Sequence, residues 1–388
     1  MSVKSRQILD DIQLKALIAY QAFLFNQDFE GPDHNPDIYL GLYDALKAVK
    51  GQYFNAVNGH AGSVMDIAFA PHTNILYSTG GDGKVLKWNI ENLKASFETV
   101  LENSFGQKAL GITQDGSWLI CATDEGKIIL LNLLNSVETD QELVGHSRIV
   151  SGIVAAPNNE YFISASIDKT IRKWSLEDFQ GEIFIHTESK INSIDISPDS
   201  EKIIAGMQDG TIKIWNLKDT AIVKVIENDG IPFSTVKYST TGNRIATGDS
   251  KGNIKIWNAE NYQLIDDLEG RKSRINDIDF DRHDKLMATA LQDGTAMIWD
   301  FTSLNNQPIE LTEHESWVLA TKFSPDGKSL VTTSKNQDRI IVWPIHINEI
   351  AKDLRKFIIR NLSQEEWNMY VADDIDYETT ITDLNNPN

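Results

Sequence analysis

The chain has 388 residues, of which 41% are hydrophobic and 24% are charged, and its formal net charge is −20. This composition supplies enough apolar material for a packed core and excludes a wholly disordered chain. The negative charge disfavours nucleic-acid and anionic-membrane binding as main functions, because both depend on neutralising negative charge with Lys and Arg. No run of about 18 apolar residues is present to span a membrane.

The start of the chain gives an expectation about its compartment. Asp10 and Asp11 stand where a signal peptide would need an unbroken apolar run. The single cysteine, Cys121, excludes an internal disulfide framework and fits a reducing compartment. We therefore expect a cytoplasmic protein.

Two helices are predicted in an N-terminal extension over residues 1–51. The segment 8–27 has apolar residues around much of a helical rod, so it needs a packing partner. The segment 36–51 begins with Pro36 and ends with Gly51, which are the residue types that favour a helix start and a helix end.

Seven similar segments follow, and each closes on an apolar strand with the same kind of ending. The closing residues are spaced 41 to 44 positions apart, at Trp88, Leu131, Trp174, Trp215, Trp257, Trp299 and Trp343. Within each segment, strands of period two are separated by turns such as Asp82-Gly83 and Asp293-Gly294. A repeat of roughly 40–45 residues built from short strands predicts one four-stranded blade of a β-propeller. The fold class is therefore all-β, with a seven-bladed propeller of four-stranded antiparallel blades over residues 52–345 and helical extensions at both ends.

The count of strands predicts how the ring closes. A helical pattern over 346–361 follows Trp343 directly, so the last blade lacks an outer strand of its own. The segment 52–57 stands just before the first blade and can supply that strand. Pairing the two ends would remove exposed sheet edges, so we expect deletion of residues 1–57 to open the ring and cause aggregation.

The C-terminal extension, residues 346–388, combines helices with an acidic tail. Ser363 and Glu366 stand at capping-box spacing, which predicts a short helix over 361–371. Residues 362–388 hold seven acidic residues and no Lys or Arg. We expect the helices of the two extensions to pack together against the last blade, either as a structural plug or as a docking face.

Two repeats carry a complete set of polar residues that can form one buried network. The first set is His60, Ser78, Asp82 and Trp88, and the second is His146, Ser164, Asp168 and Trp174. A buried His needs partners for both ring nitrogens, which the Ser hydroxyl and the Asp carboxylate can provide. Other repeats keep only part of the set; the seventh has His314 with Thr333 and Gln337.

These motifs resemble the WD-repeat β-propellers. The terminal segments, LKALIAYQAFLFN with NPDIYLGLYDALK and NLSQEEWNMYVADDIDY, carry a second resemblance. They look like the helical entry and exit of the C-terminal propellers of bacterial multidomain signalling proteins, in which a caspase-like peptidase or a signal-transduction ATPase precedes the repeats. That resemblance implies a sensor or autoinhibitory module, joined here to a separately encoded effector or excised from a longer protein.

Protein binding is favoured over catalysis. The sequence has no phosphate-binding loop and no hydrolase or zinc-protease motif, so we expect no catalytic residue, no metal and no cofactor. A propeller presents a broad loop face, and the positions just before the innermost strands should share one end of the channel. The candidate partner-binding residues at that rim are Trp317, Arg274, Lys190, Arg148, Ile149 and Ser63.

The basic members of the rim could accept an acidic peptide, and we expect a monomer. The alternative function is a hydrolase or lyase that uses the central channel, whose residues no linear motif would reveal.

Overall fold

The computed structural model describes residues 1–91, 97–134, 140–268, 270–302 and 307–382. The chain divides into two compact units. The helical unit comprises residues 1–55, 299–310 and 343–388, and the propeller unit comprises residues 56–298 and 311–342.

Seven four-stranded antiparallel sheets form the blades, which confirms the predicted fold class. Six blades are made of consecutive strands, and we number them in chain order. Blade one has β2 (Val64–Phe69), β3 (Ile75–Gly80), β4 (Lys84–Asn89) and β5 (Phe97–Glu102), and blade two has β6 (Gln107–Ile112), β7 (Trp118–Thr123), β8 (Ile128–Asn132) and β9 (Gln141–Leu143). Blade three has β10 (Val150–Ala155), β11 (Tyr161–Ser166), β12 (Thr170–Ser175) and β13 (Gly181–His186), and blade four has β14 (Ile191–Ile196), β15 (Lys202–Met207), β16 (Thr211–Asn216) and β17 (Ile222–Glu227). Blade five has β18 (Phe233–Tyr238), β19 (Arg244–Asp249), β20 (Ile254–Asn258) and β21 (Leu264–Leu268), and blade six has β22 (Ile275–Phe280), β23 (Leu286–Leu291), β24 (Ala296–Asp300) and β25 (Ile309–Leu311).

Blade seven joins the two ends of the repeat region. Its strands are β26 (Val318–Phe323), β27 (Ser329–Ser334), β28 (Arg339–Pro344) and, as the outer strand, β1 (Ala56–Asn58). The pairing places Val57 opposite Ile340. The closing strand is shorter than the predicted segment 52–57 and begins four residues later, so that only three residues pair with β28.

The propeller core lies between neighbouring blades. One cluster joins Val57 and Val64 to Ile340 and Val342, and so packs blade one against blade seven. Three further clusters join blade one to blade two, blade two to blade three and blade three to blade four, and another joins blades four and five. Alternation of side chains along each strand places one apolar set on each face of a blade, which is why a single blade cannot bury its apolar surface alone.

The helical unit contains five helices from both ends of the chain: α1 (Ser2–Gln7), α2 (Ile12–Asp28), α3 (Pro36–Lys50), α4 (Ile347–Arg355) and α5 (Gln364–Tyr370). The predicted helix 8–27 begins later than expected, because Asp11 caps α2 by accepting a hydrogen bond from Leu14 N. The predicted helical pattern 346–361 is helical only to Arg355. The capping box at Ser363 and Glu366 is present as predicted.

Contacts within this unit bring the two termini together, as expected. Trp367 of α5 is buried and packs edge-on against Phe25 of α2 at 6.1 Å. Gln13 of α2 donates a hydrogen bond to the carbonyl of Phe357 at 2.9 Å. Tyr43 of α3 contacts the ring of Trp343 at 5.3 Å. None of the helices in the described residues is long and apolar enough to cross a membrane.

Candidate functional site

Blades one and three each contain a hydrogen-bonded network of the kind that the sequence indicated. In blade one, Ser78 Oγ lies 2.8 Å from both His60 Nε2 and Trp88 Nε1. His60 Nδ1 lies 3.1 Å from Asp82 Oδ1. Asp82 also accepts backbone hydrogen bonds from Ala61 N and Lys84 N, so its carboxylate connects two turns.

Blade three repeats this arrangement. Ser164 Oγ lies 2.7 Å from His146 Nε2 and 2.8 Å from Trp174 Nε1, and Asp168 Oδ2 lies 3.0 Å from His146 Nδ1. Within each of these two blades, the network joins the segment before the innermost strand to the turn between the second and third strands.

The chemistry of the donors assigns the protons in these networks. The Trp88 indole N–H can only donate, so the Ser78 oxygen accepts from it and the Ser78 hydroxyl proton is left for His60 Nε2. His60 Nδ1 must then carry the ring proton and donate to Asp82. Burial lowers the pKa of His60, against the opposing effect of Asp82, which is consistent with a neutral ring at pH 7. Burial lowers the pKa of His146 in the same way.

The partial sets in other blades form partial networks. In blade five, Trp257 Nε1 donates to Thr247 Oγ1 at 3.0 Å. In blade seven, the partner of His314 Nε2 is Thr332 Oγ1 at 2.7 Å. The assignment of Thr333 to this role was therefore wrong by one residue, because Thr333 points its side chain to the other face of β27.

The predicted rim positions are aligned by one recurring backbone hydrogen bond in each blade. The residue before the turn donates its N–H to the carbonyl of the residue before the innermost strand. The pairs in blade order are Gly81 to Ser63, Asp124 to Gly106, Ile167 to Ile149, Gln208 to Lys190, Ser250 to Pro232, Gln292 to Arg274 and Lys335 to Trp317. In blade seven the donor is Lys335, whereas counting by the spacing of the other blades predicts Asn336 at this position. The turn of blade seven is one residue longer, and Asn336 takes a left-handed conformation with φ +56° inside it.

Five cations gather at this end of the propeller, and we call them the rim cations. They are Lys108, Arg148, Lys190, Arg274 and Lys335. Within the described part of the chain, none of them forms an ion pair. The chain has 56 acidic and 36 basic residues, so five cations without an ion pair at one end of the propeller stand out against its overall charge.

Trp317 lies at the same end and is 39% exposed. The ammonium of Lys335 stands 3.7 Å from the centre of its ring, within the range of a cation–π interaction. Burial lowers the pKa of Lys108, with Asp124 opposing that effect and the nearby Lys335 adding to it. Burial also lowers the pKa of Arg274. An exposed indole beside partly desolvated cations is a surface suited to an acidic segment with an apolar residue.

Two of the predicted rim residues, Ser63 and Ile149, form hydrogen bonds within the propeller. Asn336 N donates to Ser63 Oγ at 2.9 Å, so Ser63 connects blade one to the turn of blade seven. The carbonyl of Ile149 accepts hydrogen bonds from Ile167 N and from Ser166 Oγ, and its side chain is half-buried. Arg148 and Lys190 are exposed.

The central channel contains a cavity of about 440 Å³ lined by the innermost strands. Carboxylates on these strands accept backbone hydrogen bonds from the next blade. Asp66 accepts from Leu110 N at 2.9 Å, Asp195 from Tyr238 N at 2.8 Å, and Asp277 from Thr321 N at 3.0 Å. These side chains therefore hold adjacent blades together.

One lysine joins the carboxylates on one side of the channel. Lys322 Nζ lies 3.1 Å from Asp277 Oδ2 and 3.6 Å from Asp279 Oδ1. Burial opposes its charge, yet Asp277, Asp279 and Asp66 together hold the pKa of Lys322 well above its usual range. Burial raises the pKa of Asp66 to about 6, against the attraction of Lys322. In the residues that the structure describes, no cluster of three or more His, Cys, Asp or Glu side chains could hold a metal ion.

The model of the WD domain, G-beta repeat, matches six ranges of the chain: 51–89, 138–175, 179–216, 224–258, 262–300 and 305–343. The first three strands of blade two lie between the first two ranges. Blade two is also the blade with Cys121, Glu125 and Leu131 at the positions of the network Ser, Asp and Trp. Burial raises the pKa of the Cys121 thiol well above its usual range, as for a core residue.

Three curated proteins illustrate the relatives of the chain. Ribosome biogenesis protein ytm1 of Schizosaccharomyces pombe is 29% identical over 131 residues, which are 32% of this chain and 29% of that protein. The DDB1- and CUL4-associated factor 7 homolog of Dictyostelium discoideum is 32% identical over 130 residues, 32% of this chain and 40% of that protein. The Chromatin assembly factor 1 subunit FAS2 homolog of Oryza sativa subsp. japonica is 25% identical over 149 residues, 37% of this chain and 29% of that protein.

The matched segments span less than half the length of each of these relatives. All three relatives are eukaryotic, and the comparisons do not show the bacterial multidomain context that the terminal segments resembled. That context stays a prediction.

Proposed function

Because the chain belongs to the WD40 (G-beta repeat) family of β-propellers, we propose that it is a noncatalytic scaffold that binds a protein or peptide on its rim. The observation that carries this proposal is the set of five unpaired rim cations around the exposed Trp317 in a chain of net charge −20. The chemistry of that surface fits an acidic segment of a partner protein. Its site residues are Trp317, Arg274, Lys108, Lys335 and, further out, Arg148 and Lys190.

Electrostatics supports this assignment. Burial lowers the pKa of two rim cations, Lys108 and Arg274, and a rim cation without a carboxylate partner within the chain gains a charge-assisted hydrogen bond when a ligand arrives. Trp and Arg dominate the energetics of protein interfaces, and Trp317 and Arg274 occupy equivalent positions on adjacent blades. The relatives are named as a ribosome biogenesis protein, a chromatin assembly factor subunit and a DDB1- and CUL4-associated factor, which agrees with a role as an assembly scaffold.

A sensor role is the finer form of the proposal. In that form, ligand binding at the propeller is relayed to an effector through the helical unit, and the effector is a separate protein or another part of a longer chain, as in bacterial signalling proteins. The protein would act in the cytoplasm as a monomer, without nucleic acid, membrane or cofactor. The contact of helices from both termini within one unit supports a docking role for that unit.

A hydrolase or lyase in the channel is the second candidate, and one observation favours it: burial raises the pKa of the Asp66 carboxyl group, which lines the channel cavity, to about 6. Its hydrogen bonds favour the scaffold instead. Both carboxylate oxygens of Asp66 already accept hydrogen bonds, one from Leu110 N of the next blade and the other from Ile67 N of its own strand. Turnover that is lost in Asp66→Asn without loss of folding would support the enzyme.

Affinity recovery of partners tests the scaffold. The intact protein is compared with the double variant Trp317→Ala, Arg274→Glu, and with a control that makes matched changes on the outer strand of blade four, Ile222→Ala with Lys224→Glu, where both residues are exposed. We expect a partner that binds the intact protein and the control but not the rim variant. Recovery that is identical for all three proteins would overturn the assignment of the site to the rim.

A further inference from the structure

A groove between blades two and three lies at the end of the propeller opposite the rim. It is lined by the turn between β6 and β7, the turn between β10 and β11, and the turn between β12 and β13. In an antiparallel blade, the turns after the first and third strands lie at the end opposite the turn after the second strand, which carries the rim. The groove has a volume of about 750 Å³, within the range of ligand-binding clefts.

Its lining is strongly acidic, and the acids are unpaired. Five carboxylates and one ammonium line the groove, and the carboxylates are Asp115, Glu160, Glu177, Asp178 and Glu182. Across the described residues, none of the five forms an ion pair. The single ammonium, Lys173, lies opposite Glu182 in the strand register but is held over aromatic rings instead. The carboxylates therefore have no ionic partner within the described chain, and a cation from outside can supply one.

Two aromatic rings, those of Trp118 and Tyr161, also line the groove. The Trp118 ring is half-buried and packs edge-on at 5.3 Å against Phe179, which is not among the lining residues. Lys173 Nζ stands 4.2 Å from the centre of the Tyr161 ring and 5.8 Å from that of Phe184. The aromatic surface therefore already holds one ammonium group of the chain itself, which is an observation independent of the carboxylates.

We propose that this groove, which we call the interblade groove, binds an extended segment of a partner protein that carries Lys or Arg side chains. The carboxylates attract the charged groups, and Trp118 offers its ring to a guanidinium or an ammonium. A bound metal ion does not fit the same residues, because no cluster in the described chain has the convergence that a metal needs. The groove and the rim thus have opposite charge and lie at opposite ends of the propeller. One molecule of this protein can therefore bind an acidic partner and a basic partner at the same time.

The test uses a short fluorescein-labelled peptide of alternating Arg and Ser residues and measures its dissociation constant by fluorescence anisotropy. The groove variant is Glu177→Gln with Asp178→Asn, which preserves shape and the acceptor that Asp178 offers to Gln180 N. The matched control is Asp266→Asn with Asp267→Asn on β21, where two exposed carboxylates lie on the outer strand of blade five. Both variants change the net charge by the same amount.

We expect the groove variant to weaken binding by about tenfold and the control to leave it within about twofold of the intact protein. A separate Trp118→Leu variant should weaken binding by roughly twofold to fivefold through loss of the cation–π contact. Equal weakening in groove variant and control would mean diffuse attraction to an acidic protein, and unchanged binding in both would exclude the groove; either result overturns the proposal. The rim variant should bind this peptide normally, so the proposal can fail or succeed independently of the proposed function.

Discussion

Removal of one hydroxyl, in Ser78→Ala, should cost the propeller a large part of its stability. Ser78 Oγ is fully buried and serves two partners, because it accepts from Trp88 Nε1 and donates to His60 Nε2, both at 2.8 Å. Alanine leaves the indole N–H and the imidazole nitrogen without partners in the same interior space. Each unsatisfied buried group costs roughly 1–3 kcal/mol, so the expected loss is roughly 2–6 kcal/mol.

A matched variant in blade five separates this effect from the removal of any buried hydroxyl. Thr247 Oγ1 accepts from Trp257 Nε1 but has no His partner, so Thr247→Val should cost roughly 1–3 kcal/mol. Both variants are compared with the intact protein by urea unfolding, followed by circular dichroism and tryptophan fluorescence, with equal slopes required for a valid comparison. A loss in Ser78→Ala within about 0.5 kcal/mol of zero, or no greater than that in Thr247→Val, would refute the account of the network.

Three further predictions concern pH, the channel and ring closure. Burial lowers the pKa of His314 to about 4, below its ordinary value of about 6.5, so the unfolded chain takes up the proton first and the free energy of unfolding falls as the pH drops from about 6.5 to 4. In urea unfolding, His314→Gln should lose roughly 3 kcal/mol less than the intact protein over this pH range, and an equal loss in the two proteins would contradict the prediction. In the same assay, Asp195→Ala should lower the free energy of unfolding by roughly 1–3 kcal/mol, because Tyr238 N loses its acceptor. Asp195→Asn keeps an acceptor oxygen and should lose much less, and equal losses in the two variants would contradict the role of this hydrogen bond. Deletion of residues 1–57 should give aggregated protein by light scattering, because it leaves the outer edge of β28 almost unpaired, and a soluble truncation that unfolds cooperatively would contradict ring closure.

The fold could be predicted from the sequence because its signals are local and repeated. The spacing from Trp88 to Trp343 and the Gly-containing turns determine the strand count of each blade without knowledge of any long-range contact. Register was harder to predict. The turn of blade seven holds one residue more than the others, so Thr332 and Lys335 occupy the positions that counting had given to Thr333 and Asn336.

The charged features of the site depended on contacts that no local pattern reports. Asp66 and Leu110 are 44 residues apart, and nothing near either residue indicates that the carboxylate bonds the next blade. Lys108 was missed because it is the second residue of β6 and not the residue before the strand; the charges of Asp124 and Lys335 act on it, which places it near the rim. Whether a cation is paired or unpaired is a property of the assembled ring, and it is this property that singles out the rim.

The measurement that tests the central claim most directly is the dissociation constant of a recovered partner, purified and titrated against the intact protein, the Trp317→Ala, Arg274→Glu variant, and the Ile222→Ala, Lys224→Glu control. The account predicts that the rim variant weakens binding by at least about tenfold, that added salt weakens binding to the intact protein, and that all three proteins unfold at the same urea concentration. An unchanged dissociation constant in the rim variant would contradict the account and place recognition elsewhere on the molecule.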